Sequence, residues 1–192
     1  RRADIGVAMG LRGTDAAREA ADLILRDDRF GTIVHGIEEG RVIFANIRRF
    51  VVFLLSINWA SILAIVTASL LGWPIPVTPL QILFLNMVSD VFPALSLVAT
   101  AGGATLMQRP PRPPKEAVLT RRHWWTIGAY GLVIAAAVLG ALLIALHVLE
   151  YEVPRAVTVS FLTLGFAKAL HALNMRELSK RGGDKPGLIS PV

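Results

Sequence analysis

The sequence predicts a mainly α-helical protein, a four-helix transmembrane bundle with a short α/β piece at its cytoplasmic N-terminal end. Three observations predict it. Of 192 residues, 54% are hydrophobic and 18% charged, against about 25% charged in an ordinary soluble domain. The charges are also segregated. Residues 1–49 hold 17 of the 34, nine basic and eight acidic, whereas 50–108 hold only Asp90, 123–149 hold none and 156–175 hold only Lys168. Finally, four apolar stretches each reach the roughly 20 residues that a helix needs to cross a bilayer core of about 30 Å. This pattern excludes a soluble globule and a wholly embedded protein alike.

Residues 1–30 read as a strand–helix–strand piece. Ile5, Val7 and Met9 alternate as a short strand that ends at Gly10 and Gly13. Thr14 or Asp15 can cap an Ala-rich helix to about Ala21, and Leu23, Ile24 and Leu25 form a second buried strand closed by Asp27 and Asp28. A unit of this size cannot cover its own strands, so it is expected to be the tail of a larger α/β domain. From about Gly31, Ile33, Val34, Ile37, Val42, Ile43 and Ile47 recur at helical spacing, and no proline occurs before Pro74. One long helix is therefore expected, with 31–49 as a cytoplasmic stalk entering the first span.

The membrane part covers 50–176, with spans at about 50–71, 78–100, 124–149 and 156–175. Gly72, Trp73, Pro74 and Pro76 mark the first turn, and Trp124 with Trp125 opens the third span at the interface. Residues 177–192 form a polar cytoplasmic tail. Arg41, Arg48 and Arg49 precede the first span, the 101–123 loop carries five basic residues against Glu116, and the tail is basic. Both termini and that loop should face the cytoplasm. This placement explains a net charge of +6 and a pI near 10.5 without nucleic-acid binding, which is not expected. Membrane lipid is the expected surrounding partner. Alanine-rich spans and the lack of cysteine suggest a bacterial inner membrane, and the start at Arg1, with neither an initiator Met nor a signal peptide, suggests an excised piece.

Asp90 carries the strongest chemical signal. It lies near the bilayer midplane, where a charge costs at least about 2.5 kcal/mol and persists with a partner or a function. Pro93 deprives the Ser89 carbonyl of its helical partner, so the helix should break there. A free carbonyl beside a carboxylate is how transporters build cation sites from broken helices. Asn86, one turn before Asp90, adds an amide oxygen, and Ser89 adds a hydroxyl. The alternative is a buried Asp that only cross-links helices. Asn58, with Ser56 and Ser61 nearby in the first span, reads either as hydrogen-bonding glue between helices or as a further ligand. Lys168 lies about 12 Å from the end of its span, too deep for its stem to snorkel fully. It either forms a structural contact or acts as a tethered cation that neutralises Asp90 when no ion is bound. The four histidines, His35, His123, His147 and His171, share no metal-ligand spacing and read as structural. No phosphate-cradling loop or hydrolytic triad occurs.

Taken together, these residues resemble the P-type cation pumps, most closely the calcium-pump-like branch. Asp4 to Gly10 (DIGVAMG), Gly13-Thr14, Glu19 to Leu25 (EAADLIL), Asp27-Asp28 and Phe30 resemble the end of that family's haloacid-dehalogenase-like phosphorylation domain. Glu38 to Arg41 (EEGR) with Asn46-Ile47 resembles the stalk of its fifth membrane helix. Thr78 to Leu83 (TPLQIL), Asn86 to Asp90 (NMVSD) and Pro93-Ala94 resemble its sixth, Arg109 to Arg112 (RPPR) the following loop, and Ala172 to Asn174 the end of its eighth. By resemblance, Asn58, Asn86, Ser89 and Asp90 fall at ion-ligand positions, with Asn86 and Asp90 the main ligands of the transported cation.

Ser61 and Lys168 stand where two-site calcium pumps carry Glu. Calcium favours six to eight oxygens with several carboxylates, so the resemblance implies one ion site, for calcium or another cation. It also implies Mg2+ and ATP as cofactors of the full-length pump. Both would bind outside this stretch, in N-terminal pump domains. The Asp-Lys-Thr-Gly, Thr-Gly-Glu and Gly-Asp-Gly-x-Asn-Asp motifs are absent, so this chain alone should not hydrolyse ATP. A second reading is a non-enzymatic four-span channel subunit or regulator derived from such a pump. Upstream coding sequence separates the two.

Overall fold

The computed structural model describes residues 4–91, 95, 106–108, 110–113 and 117–181, without the side chains of Ser89, Leu106 and residues 178–181. Its order is β1 (Val7–Met9), α1 (Asp15–Ala20), β2 (Leu23–Leu25), α2 (Phe30–Leu70), α3 (Pro79–Phe84), a π turn (Leu85–Ser89), a 3-10 turn (Leu106–Gln108), α4 (Arg121–His147) and α5 (Val153–Arg181). The chain is mainly helical, with a small parallel sheet.

β1 and β2 pair in parallel, with Val7 opposite Leu23 and Met9 opposite Leu25. Thr14 is the residue that caps α1, its hydroxyl accepting from the Ala17 amide. Gly10 is required by a close approach, because its amide donates to the Leu25 carbonyl at 2.8 Å and a Cβ would sit 2.7 Å from that same oxygen. Asp28 then ties the β1–α1 loop to the end of β2 by accepting from the amides of Leu11 and Arg12 at 2.9 and 2.8 Å. Ala8 and Leu25 are buried, but Ile5, Val7, Leu23 and Ile24 are exposed. Two strands and one turn of helix bury too little apolar surface to stand alone.

α2 runs unbroken for 41 residues, about 60 Å at 1.5 Å per residue. Its start has no side-chain cap at Arg29. Asp27 substitutes for one, accepting from the Arg29 amide at 3.2 Å and the Thr32 hydroxyl at 2.6 Å. These two donors hold the Asp27 carboxyl below the usual carboxylate range. Its end is a Schellman turn: Trp73 N–H bonds to the Ala68 carbonyl, Gly72 N–H bonds to Ser69, and Gly72 takes φ +68°.

Among the described residues, three helices, α2, α4 and α5, are long and apolar enough to cross a membrane. α2 packs mainly on α4, and α4 on α5. The contact face of α2 is small at every fourth position, Ser56, Ala60, Ala64 and Ala68, all buried. Small residues let helix backbones approach within a membrane, where no hydrophobic force between helices assists. On α4 the tightest point is Gly131, where a Cβ would lie 2.6 Å from Trp59 Cδ1 and 3.3 Å from the Ser56 carbonyl oxygen. α4 and α5 begin before the sequence-derived spans, and α4 ends at His147, two residues short of the expected 149. α4 begins at Arg121, three residues before Trp124, because Thr120 caps it with His123 Nδ1 accepting from the Thr120 amide at 3.1 Å. α5 begins at Val153, with Pro154 in its first turn, where a missing N–H costs nothing.

The expected span 78–100 is only partly described. Thr78 opens it with a capping box shared with Gln81, and Pro79 follows at the first helical position. α geometry gives way at Leu85 to the π turn, which ends at Asp90. Pro93 lies outside the described residues. In the C-terminal half of the stalk part of α2, Phe44 is flanked by two guanidinium groups, Arg112 at 4.1 Å and Arg48 at 4.9 Å from the ring centroid, which pins the 110–113 loop to the stalk.

Candidate cation site

Two charged side chains within the apolar bundle meet. Lys168 on α5 is 2% exposed and Asp90 at the end of the π turn 8%. Lys168 Nζ donates to Asp90 Oδ1 at 3.0 Å, to Asp90 Oδ2 at 3.3 Å and to Asn86 Oδ1 at 3.2 Å. An ammonium has three protons, and here three oxygens receive them. Burial of either charge alone would cost several kcal/mol, so the pair is held by mutual necessity.

The local sequence explains this meeting. The π turn brings Asn86 and Asp90 to one oxygen-rich spot, an arrangement often found where a helix serves a site. Leu85, at its start, is buried in a core with Ala60, Ala64, Ile134, Val138 and Leu164, which anchors the turn to three helices. On α5, Gly165 lies one turn before Lys168, and a Cβ there would just touch Leu85 Cδ2 at 3.6 Å. A larger side chain at 165 would push the π turn away from the lysine.

The other sequence-derived residues are placed differently. Asn58 is exposed on α2, on the side away from the buried small-residue face. Ser61 is half-buried and donates its hydroxyl to the Ile57 carbonyl at 3.1 Å within its own helix. The structure therefore joins Asn86, Asp90 and Lys168 by direct bonds, whereas Asn58 and Ser61 stay outside that network. The side chain of Ser89 and all of Pro93 lie outside what is described. Among the described residues, no group of three or more His, Asp or Glu could hold a metal ion.

One buried group had no chemical signal in the sequence. His171, one turn beyond Lys168 on α5, is 5% exposed, and its Nε2 has no hydrogen-bond partner among the described residues. Its ring stacks on Phe53 at 5.6 Å and tilts against Tyr130 at 4.5 Å. Tyr130 Oη in turn accepts from Asn174 Nδ2 at 3.0 Å.

An apolar helical bundle with a buried ammonium–carboxylate pair beside a π turn defines an integral membrane protein with a charged centre. Residues 74–188 match the family described as "Cation transporting ATPase, C-terminus", and the chain belongs to that family. It is 42% identical over 176 residues to a calcium-transporting ATPase of Bacillus subtilis, covering 92% of this chain and 20% of that protein. It is 39% identical over 180 residues to the human calcium-transporting ATPase type 2C member 1, covering 93% of this chain and 19% of that protein. It is also 46% identical over 126 residues to the P-type sodium-transporting ATPase4 of Plasmodium falciparum, covering 66% of this chain and 10% of that protein. The chain thus spans about a fifth of the length of the calcium-transporting relatives.

Proposed function

We propose that this chain is the ion-translocating membrane part of an ATP-driven cation pump with one ion site. Asn86, Ser89 and Asp90 supply its oxygens, and Asn58, exposed on α2, lies outside their network. The bonding of Lys168 Nζ to both Asp90 oxygens and to Asn86 carries this reading. An ammonium bound by the same oxygens that would hold a metal ion is a tethered cation, and it leaves when the ion enters. With Ser61 and Lys168 contributing no carboxylate, Asp90 is the one carboxylate in the four expected spans, which suits a single cation. The calcium and sodium relatives support a cation as the transported substrate, with calcium the first to test.

ATP and Mg2+ act in this reading outside these 192 residues, and the chain alone does not hydrolyse ATP. Phosphoryl transfer there moves the stalk part of α2, which is continuous with the first span, and so changes access to Asp90. The protein sits in a bacterial inner membrane with both termini cytoplasmic, and the 78–100 segment completes a fourth span. The test is Asp90→Asn in the full-length pump. Cation-dependent phosphoenzyme formation, assayed across Ca2+, Mn2+, Mg2+, Na+ and K+, should be lost for the transported ion. Unchanged phosphoenzyme formation and transport would overturn the site.

A further inference from the structure

A cation that takes Asn86 and Asp90 removes all three acceptors of the Lys168 ammonium, which is almost fully buried. A buried, unpartnered ammonium beside a newly bound cation is doubly unfavourable, through lost hydrogen bonds and through like-charge repulsion. The displaced group therefore needs another acceptor within reach of its stem. We propose that His171 is that acceptor: in the ion-bound state Lys168 Nζ donates to the Nε2 of His171, which makes the lysine a two-position switch. This inference rests on the single-site reading given above.

Three observations support it. His171 lies three residues after Lys168, and side chains at that spacing share a helix face with Cβ atoms about 5–6 Å apart. Helical side chains lean toward the N-terminus, so the imidazole leans over the turn that carries Lys168. Its Nε2 is buried and unpartnered among the described residues, an uncommon state for a native polar atom and one that calls for an explanation. The ring is walled by Phe53 and Tyr130 and lies beside a cluster of Val52, Ile57, Ile127, Ala172 and Met175, surroundings that suit a neutral imidazole with a free lone pair. The same aromatic faces tolerate an approaching cation. His171 is a positioning residue here, acting on the ion through Lys168.

The test is a double-mutant cycle in the full-length pump, with Ca2+ as probe, or Na+ if calcium yields no phosphoenzyme. His171→Phe keeps the aromatic stack and removes the acceptor. It should raise the cation concentration for half-maximal phosphoenzyme on the order of 10- to 100-fold, the loss that one hydrogen bond to a charged group implies. His171→Gln, which keeps an acceptor, should recover most of that loss. In a Lys168→Met background, His171→Phe should change the affinity less than twofold. An effect of the same size with and without the lysine would mean a packing role and would overturn the proposal, as would an unchanged affinity in the single variant. If His171→Phe does not fold, 15N resonances of labelled histidine in the unaltered pump decide: cation addition should shift Nε2 toward a hydrogen-bonded value, and no shift overturns the proposal. Loss of binding in Asp90→Asn together with an inert His171→Phe would sink this inference alone. Persistence of binding in Asp90→Asn would sink the site itself.

Discussion

Lys168→Met removes the ammonium while nearly preserving the side-chain volume, and its effect follows from the geometry of the pair. The Lys168 nitrogen lies 3.0 and 3.3 Å from the two Asp90 oxygens and 3.2 Å from Asn86, with the lysine 2% exposed. Methionine leaves Asp90 without its counter-charge. Orphaning one member of a buried pair costs about 3–5 kcal/mol, and the lower end suits a site that water can reach once the ammonium is gone. That cost falls on the ion-free state alone, because in the ion-bound state the cation itself neutralises Asp90. The difference appears as affinity: about 3 kcal/mol corresponds to roughly 100-fold tighter cation binding. Stability should respond oppositely, with the ion-free variant melting below the unaltered protein and the gap closing as cation is added. The assay is a cation titration of phosphoenzyme formation beside a thermal melt in detergent, each with and without the ion. Affinity unchanged within threefold, or weaker, would refute the view that Lys168 competes with the cation for Asp90.

Two further predictions address the frame that holds the site. Gly131→Val places a branched side chain where even a Cβ would lie 2.6 Å from Trp59 and 3.3 Å from the Ser56 carbonyl. Overpacking of this kind costs about 1–3 kcal/mol, so the melting temperature in detergent should fall, and an unchanged melt would show that α2 and α4 do not approach so closely. Asp27 tests the start of the stalk helix. Its folded carboxyl is held below its ordinary value of 3.8 by the Thr32 hydroxyl and the Arg29 amide. Its stabilisation is thus present above the ordinary value and lost as pH falls through the lowered one. Hydrogen-exchange protection of the first turn of α2 should be weaker in Asp27→Ala at pH 7, and the difference should shrink below pH 3.8. Equal protection at pH 7 would contradict the capping role.

Much of this was legible in the residues, for identifiable reasons. The unbroken run from Gly31 to Leu71 has helical periodicity and no proline, and α2 runs from Phe30 to Leu70. The two isolated charges were legible as exceptions in an apolar bundle, but whether Lys168 serves Asp90 or only a structural contact was open in the residues, and it is the fold that brings Lys168 Nζ to 3.0 Å from Asp90 Oδ1. The geometry of the helix break was less legible. The sequence places a break by Pro93, which lies outside the described residues, whereas the backbone widens into a π turn from Leu85, a residue packed against α2, α4 and α5 from positions remote in sequence. Asn58 shows another boundary. Within a uniformly apolar span, periodicity does not say which face a polar residue takes, and α2 turns Asn58 outward while its small residues face α4. His171 carried no spacing signal at all, since its significance lies in a nitrogen left unpartnered between two rings.

The central claim is a single cation site at Asp90, occupied by the Lys168 ammonium when the ion is absent. The most direct measurement is the number of cations bound per phosphorylation site in the purified full-length pump, by isotope binding at saturation with parallel phosphoenzyme counting. One cation per site should be bound in the unaltered protein and none in Asp90→Asn. Two cations per site, or one retained without the Asp90 carboxylate, would contradict it.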